Sequence, residues 1–276
     1  MKGYMIYYPQ EAVKNQGFIQ MFQEKGKPVG MTFEYVSIQD YDKRGLPDFV
    51  LNRTREPSVS RWYQQKGVPV FHPDQLVAIS NNKYQTLQYL AQNLPDSVLA
   101  GKWCPDSMFL PKEEIEQVIQ GEKTLPDNMV IKSLSGHGGG EVFLTQSHWQ
   151  TALRGKDCLL QEKIESSSQD LRVYLLGGEI YQAVLRTGTA DFRSNFSLGG
   201  TVRGYELNRK QKDWIQQFVQ AFPQKWLGML GMDFIFTSDQ QLIFNEVEEM
   251  AGCRMLYQCT SRDIVKDFIA WLSTFV

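Results

Sequence analysis

The chain has 276 residues, 42% hydrophobic and 22% charged, enough apolar material for one large domain or two to three small lobes of an ordinary globular protein. A formal net charge of -2 excludes a broad basic field for nucleic acid and an acidic tail for basic partners, so any charge-based function must be local. No stretch approaches the about 20 consecutive apolar residues of a membrane span. The N-terminus lacks a charged leader and a long apolar run. Cys104, Cys158, Cys253 and Cys259 are scattered without zinc-site spacing, so a reduced, cytoplasmic protein with no membrane partner is expected.

The first third alternates short apolar runs with helical patterns. Tyr4 to Tyr8 reads as a strand, Gln10 to Lys25 as a helix, Phe33 to Ser37 and Asp48 to Asn52 as strands, Arg61 to Lys66 as a helix and Val68 to Phe71 as a strand. The Asn81-Asn82 pair caps a helix from Lys83 to Asn93. This order predicts a small α/β lobe over residues 1–80. Pro95, Pro105, Pro111 and Pro126 then mark a connector around one acidic helix, Lys112 to Gln120.

Met129 to Ser133, Glu141 to Thr145 and Cys158 to Lys163 read as three strands of a small antiparallel sheet, with a helix at His148 to Arg154. They define a second lobe over 81–165. Arg172 to Leu176 and Glu179 to Arg186 form a hairpin about Gly177-Gly178, and Met232 to Thr237 pairs with Gln241 to Val247. A helix at Arg209 to Phe222 separates the hairpins and another at Ser261 to Phe275 closes a third lobe, 166–276.

Three constellations carry chemistry. The run Ser133-Leu-Ser-Gly-His-Gly-Gly-Gly140 joins two strands, and its glycines let backbone amides approach a phosphate closely, with Lys132 adding positive charge from the incoming strand. It is neither a P-loop nor a dinucleotide fingerprint, since no Gly-Lys-Ser/Thr follows and Glu141 takes the last glycine position. Taken alone, the run is also compatible with a flexible hairpin loop, the lesser of the two readings. Asp233, Glu246 and Glu248 alternate along paired strands and can share one face, which suits magnesium or manganese. Asp170, Arg172, Arg186, Arg193, Asn195 and Arg203 supply arginine forks for carboxylate and phosphoryl oxygens between those two sites. His72, His137 and His148 lie too far apart for a histidine-rich metal site.

This order of parts resembles the ATP-grasp superfamily, and specifically its RimK-like glutamate ligase branch, over nearly the whole chain. Asn82-Lys83-Tyr-Gln-Thr-Leu resembles the lysine-bearing helix, Val130-Ile-Lys132 with the glycine run the second lysine and the phosphate-covering loop, and Gln161-Glu162-Lys163-Ile164 the adenine-binding hinge. Asp170-Leu-Arg172, Phe192-Arg-Ser-Asn195 and Gly199-Gly200 are similar to the branch's most recognisable strings. The resemblance implies an α/β (α+β) fold of three lobes with ATP held between two antiparallel sheets.

By the same resemblance, Lys83, Lys132, Ser135, Gly136, His137, Gly138, Gly139, Gln161, Glu162, Lys163, Ile164 and Asp170 bind nucleotide, and Asp233, Glu246 and Glu248 bind metal. Arg186, Asn195 and Arg203 act on the transferred phosphoryl group, and Arg53, Arg172, Arg193 and Arg254 bind substrate. The family pattern Glu-x-Asn followed by Pro-Gly is altered, with Glu248 at the asparagine and Ala251 before Gly252. The implied activity is ATP- and magnesium-dependent ligation of a carboxylate to an amine through an acyl phosphate, on an amino acid, peptide or protein, with glutamate as one partner. A peptide macrocyclase, a kinase and a non-catalytic nucleotide-binding module are the alternatives, and self-association is left open.

Overall fold

The computed structural model describes residues 1–166, 168–188, 200–249 and 251–275. Its first sheet, ordered β2-β1-β3-β4, contains β1 (Lys2–Tyr7), β2 (Thr32–Ser37), β3 (Phe49–Asn52) and β4 (Val70–Phe71), all parallel. Parallel strands are covered on both faces and so read as continuous apolar runs, as in β1 and β3. Met5, Tyr7, Phe33, Phe49 and Leu51 face one core with Ile19 and Phe22 of the helix Gln16–Gly26. Tyr4, Ile6, Val36 and Val50 face another with Val59 and Tyr63 of the helix Pro57–Gln64. Gly3 is required by packing, because a Cβ there would lie 2.3 Å from the Phe49 ring.

The second sheet, ordered β5-β8-β6-β7, is antiparallel and contains β5 (Ser107–Leu110), β6 (Met129–Ser133), β7 (Val142–Leu144) and β8 (Cys158–Glu162). One face has its own core of Leu110, Ile131, Cys158 and Leu160 beneath Ile115, Trp149 and Leu153. The third, ordered β11-β10-β9-β12-β13, contains β9 (Gln169–Leu176), β10 (Glu179–Thr187), β11 (Thr201–Tyr205), β12 (Met229–Phe236) and β13 (Leu242–Glu248), also antiparallel. Its back face buries Leu171, Val173, Leu185, Phe234 and Phe244 against Ile215, Phe218 and Val219 of the helix Arg209–Gln220, with Leu87 and Leu90 from the helix Lys83–Asn93 in the same cluster. Asn208 and Gln211 close a capping box at the start of Arg209–Gln220.

Several expectations shift. The single helix expected at Gln10 to Lys25 is two, Pro9–Lys14 and Gln16–Gly26, broken at Asn15, whose φ of -106° and ψ of 16° are not helical. The closing helix expected at Ser261 to Phe275 is Ile264–Leu272, capped by Asp263, whose side chain accepts from the Lys266 amide, and a further helix, Arg254–Cys259, precedes it where the pattern showed none. The helix expected at Arg61 to Lys66 starts earlier, with Pro57 in its first turn. The expected connector contains β5, which edges the second sheet, and β11 is a further strand that the pattern did not show.

Candidate functional site

A cleft of about 830 Å³ opens between the second and third sheets. Lys132 reaches it from β6, buried, with Nζ 3.4 Å from Asn245 Oδ1 of β13. Burial, and then the charge of nearby Lys83, push the Lys132 ammonium down to about 8. Lys83 opens the helix Lys83–Asn93, whose N-cap Asn82 accepts from the Gln85 amide. The Lys83 amide donates to Leu134 O at 3.0 Å and its Nζ to Gly136 O at 2.6 Å, which ties this helix to the glycine loop.

Within that loop Gly138 and Gly139 have φ of 65° and 76°, the left-handed region open to glycine, and both line the cleft together with Gly136. A Cβ on Gly136 would lie 2.5 Å from Ser133 Oγ. Ser133 donates to Glu141, which also pairs with Lys156 at 2.6 Å and so pins the outgoing end of the loop. Gln161, Glu162, Lys163 and Ile164 form the opposite wall, with Gln161 Nε2 held by Ser107 Oγ at 2.6 Å. Ser135, expected to bind nucleotide, is exposed and lines none of the cleft.

The front face of the third sheet is charged because alternate residues of its strands all point there. Asp233 stands opposite Arg172 on β9 and Glu246 on β13, while Asp170 stands opposite Arg186 on β10. Arg172 donates through Nε and Nη2 to the two oxygens of fully buried Asp233, the latter at 2.7 Å, and through Nη1 to Glu248 Oε2 at 2.5 Å. Arg186 donates to both Asp170 oxygens, at 2.5 and 2.6 Å, and to Asp233 Oδ2 at 2.6 Å. Despite burial, these cations hold the Asp233 carboxyl below its usual range, and the carboxylates raise both arginines.

This network revises two expectations. Arg172, expected to bind substrate, is committed to Asp233 and Glu248 although it borders the open cavity beyond Glu246, and Asp170, expected to bind nucleotide, is the counter-ion of Arg186 although it borders the cleft. Glu248 is likewise occupied by Arg172 rather than open on both oxygens. Among the described residues no three His, Cys, Asp or Glu side chains are arranged to hold a metal ion. Glu246 has no hydrogen-bonding partner among them, and burial raises its carboxyl, with Asp233 and Glu248 adding to the rise against Lys83 and Lys132. Its free oxygens and this crowding of carboxylates fit a magnesium ion that takes its other ligands from phosphate and water.

Beyond Glu246 lies an open cavity of about 1690 Å³ that Arg53, Arg55, His137 and Arg254 help to line. Arg53 follows β3 and stacks over Phe18 at 5.0 Å, and Arg254 begins the helix Arg254–Cys259. Arg203 is not brought to the site. It stands opposite Leu185, whose side of the sheet is the back face, whereas Arg186 stands opposite Val202 on the front. Arg193 and Asn195 lie outside the described residues. Missed by the sequence reading was Glu249, buried just after β13, whose Oε1 accepts from Asn81 at 2.8 Å. No local pattern marks it, because its partners come from the far side of the chain.

The RimK-like ATP-grasp domain model matches residues 80–272, most of the chain. The chain belongs to the RimK-like ATP-grasp family. It is a carboxylate-amine ligase that binds ATP, with the ATP-grasp fold. A protein of Mycoplasma genitalium described as uncharacterized is 26% identical over 93% of this chain and 86% of its own. A probable alpha-L-glutamate ligase of Haemophilus ducreyi is 28% identical over 82% of this chain and 73% of its own. Among solved structures, D-alanine--D-alanine ligase from Bacillus anthracis complexed with ATP superimposes with a TM-score of 0.71 at 14% identity, over 100% of this chain and 98% of that one. No helix among the described residues is long and apolar enough to cross a membrane.

Proposed function

We propose that this RimK-like enzyme phosphorylates a substrate carboxylate with ATP and transfers the acyl group to an amine, with glutamate as one of the two partners. The observation that carries the reading is the position of Glu246, which borders both the cleft with the two lysines and the cavity with the arginines. Phosphoryl donor and acceptor carboxylate meet across that one side chain. Glutamate as a partner is supported by the Haemophilus ducreyi relative named as an alpha-L-glutamate ligase.

Lys132, Lys83 and the Gly138 and Gly139 amides take the phosphate oxygens, and Lys163 and Ile164 take the adenine edge. The Glu162 amide is already given to Asp106 O at 3.0 Å, which favours the amides of the two residues after it for the adenine edge. Glu246, aided by the remaining lone pair of Asp233, would hold magnesium, which neutralises charge on the phosphates. Manganese, sharing its preference for hard oxygen ligands, would serve in its place. Arg53, Arg55 and Arg254 orient substrate carboxylates. Attack by the amine forms the C–N bond and breaks the acyl C–O bond to phosphate. Of the ammonium's three protons, one stays on the amide, one goes with hydrogen phosphate and one goes to solvent.

ATP with magnesium is expected to raise the melting temperature, and chelator to abolish the rise, by mass action on the native state. The carboxylate dependence is then read from ADP release in a screen of amino acids and dipeptides with hydroxylamine, which converts an acyl phosphate to a hydroxamate. ADP release without hydroxamate would replace the ligase chemistry with a kinase, and no thermal shift at millimolar ATP would remove the site assignment.

Lys132 also makes nucleotide binding pH-dependent. Its ammonium sits at about 8 in the free protein, and phosphate oxygens favour the charged form, so the complex holds more protons than the free protein above that pH. Affinity is therefore full below pH 8 and falls as pH rises through it. At pH 8 binding should take up about half a proton, measured by titration calorimetry in two buffers of different ionisation enthalpy. In Lys132→Met that uptake disappears.

A further inference from the structure

Between the nucleotide cleft and the arginine-lined cavity lies a third chamber, of about 460 Å³. It shares Lys83, Gly138 and Glu246 with the cleft and Arg55, His137, Gly138, Glu246 and Glu248 with the cavity. It is thus the place where an activated acyl group at the phosphate end of the cleft would meet a second molecule. Glu249 lines this chamber, is only 3% exposed and uses half of its carboxylate: Oε1 accepts from Asn81 Nδ2 at 2.8 Å, while Oε2 has no partner among the described residues.

A buried carboxylate oxygen without a donor is costly, and sites of this kind are kept where a ligand supplies the donor. His72, 4% exposed, stands on the other side of Glu249, bonded to its backbone, and its Nε2 is also without a partner. Both residues line a further pocket of about 290 Å³ whose walls are apolar at Phe18, Phe71 and Met229 and polar at Asn52 and Arg53. Two buried atoms, Glu249 Oε2 and His72 Nε2, without partners among the described residues favour a guest with several N–H donors. The chamber already has cations at Lys83 and Arg55 for anionic guests; of its carboxylates Glu248 is held by Arg172, while Glu246 and Glu249 accept from no arginine among the described residues, although the charges of Arg53 and Arg55 act on Glu249.

Resting on the ligase reading above, we propose that Glu249 docks the ammonium group of the acceptor amine, and so selects primary amines and sets their approach to the acyl phosphate. Asn81 fixes the rotamer of the carboxylate by holding Oε1, which leaves Oε2 to the ammonium.

The test uses the full-length enzyme with ATP, magnesium and the twenty L-amino acids, each with and without hydroxylamine as a small uncharged competing nucleophile. Glu249→Gln keeps the size and the Asn81 contact but removes the charge. It is expected to raise the KM for the amine at least about tenfold, the loss of one charge-assisted hydrogen bond, and to shift product from amide to hydroxamate by a similar factor. Glu249→Asp keeps the charge and should recover part of the amide, which also serves as the readout if the glutamine variant fails to fold. An unchanged amide-to-hydroxamate ratio in both variants overturns the proposal and leaves Oε2 to a bound water. Amide and hydroxamate falling together, with a rise in the KM for ATP, also overturns it, in favour of a structural role. Absence of hydroxamate in the unaltered enzyme would instead overturn the acyl phosphate reading, and this inference with it.

Discussion

Arg172→Ala is expected to destabilise the protein by about 3–5 kcal/mol, the usual cost of leaving a buried ion network with an uncompensated member. Arg172 is 4% exposed and gives two of the three hydrogen bonds that Asp233 accepts, so its removal leaves Oδ1 of a fully buried carboxylate without a donor. Urea denaturation monitored by tryptophan fluorescence reads the effect directly. Glu248→Asn removes a carboxylate on the same guanidinium, but its side chain is 34% exposed, and a loss of no more than about 1 kcal/mol is expected. Equal losses in the two variants would show that Asp233 is not the residue that makes the network expensive to break.

Glu246→Gln is expected to lower magnesium-dependent ADP release by about 10³-fold or more, since an electrostatic contact to developing phosphoryl charge is worth several kcal/mol in a water-poor site. Its melting temperature without ligand should hold or rise, because Glu246 has no hydrogen-bonding partner to lose among the described residues and burial already disfavours its charged form. Steady-state rates and a thermal melt of the same preparation separate the two effects. A variant that keeps full turnover would place the metal elsewhere, and one that unfolds would make Glu246 structural.

Together these variants distinguish two kinds of carboxylate that the sequence cannot tell apart. Asp233, Glu246 and Glu248 alternate identically in the one-dimensional pattern, and strand alternation alone put them on one face, as observed. Which of them is free depends on where Arg172 and Arg186 reach from β9 and β10, and those strands are distant in sequence. For the same reason Arg203 read as a clamp: without the register of β11 against β10, nothing told that it stands opposite Leu185 rather than beside Arg186. The glycine loop and Lys132 on its incoming strand were legible because a left-handed turn between two strands is a local feature, whereas Lys83 and the hinge were singled out by the family resemblance, and the structure brings them to the same cleft. β5 escaped because its four residues are an edge strand flanked by Pro105 and Pro111, with Ser107 and Met108 exposed.

The apolar clusters carry a mechanical consequence. Phe22, Phe33, Phe49 and Phe71 of the first lobe share one core with Phe268, Ile269 and Leu272 near the end of the chain, and Lys25 pairs with Asp263 across the same seam at 2.6 Å. The second sheet keeps a separate core and joins the large cluster behind the third sheet chiefly through Leu134 and Leu159. Prising the first lobe from the third would expose a whole aromatic cluster, whereas swinging the second sheet away uncovers far less, at about 25 cal/mol for each Å² of apolar surface. The nucleotide side of the enzyme is therefore the cheaper door.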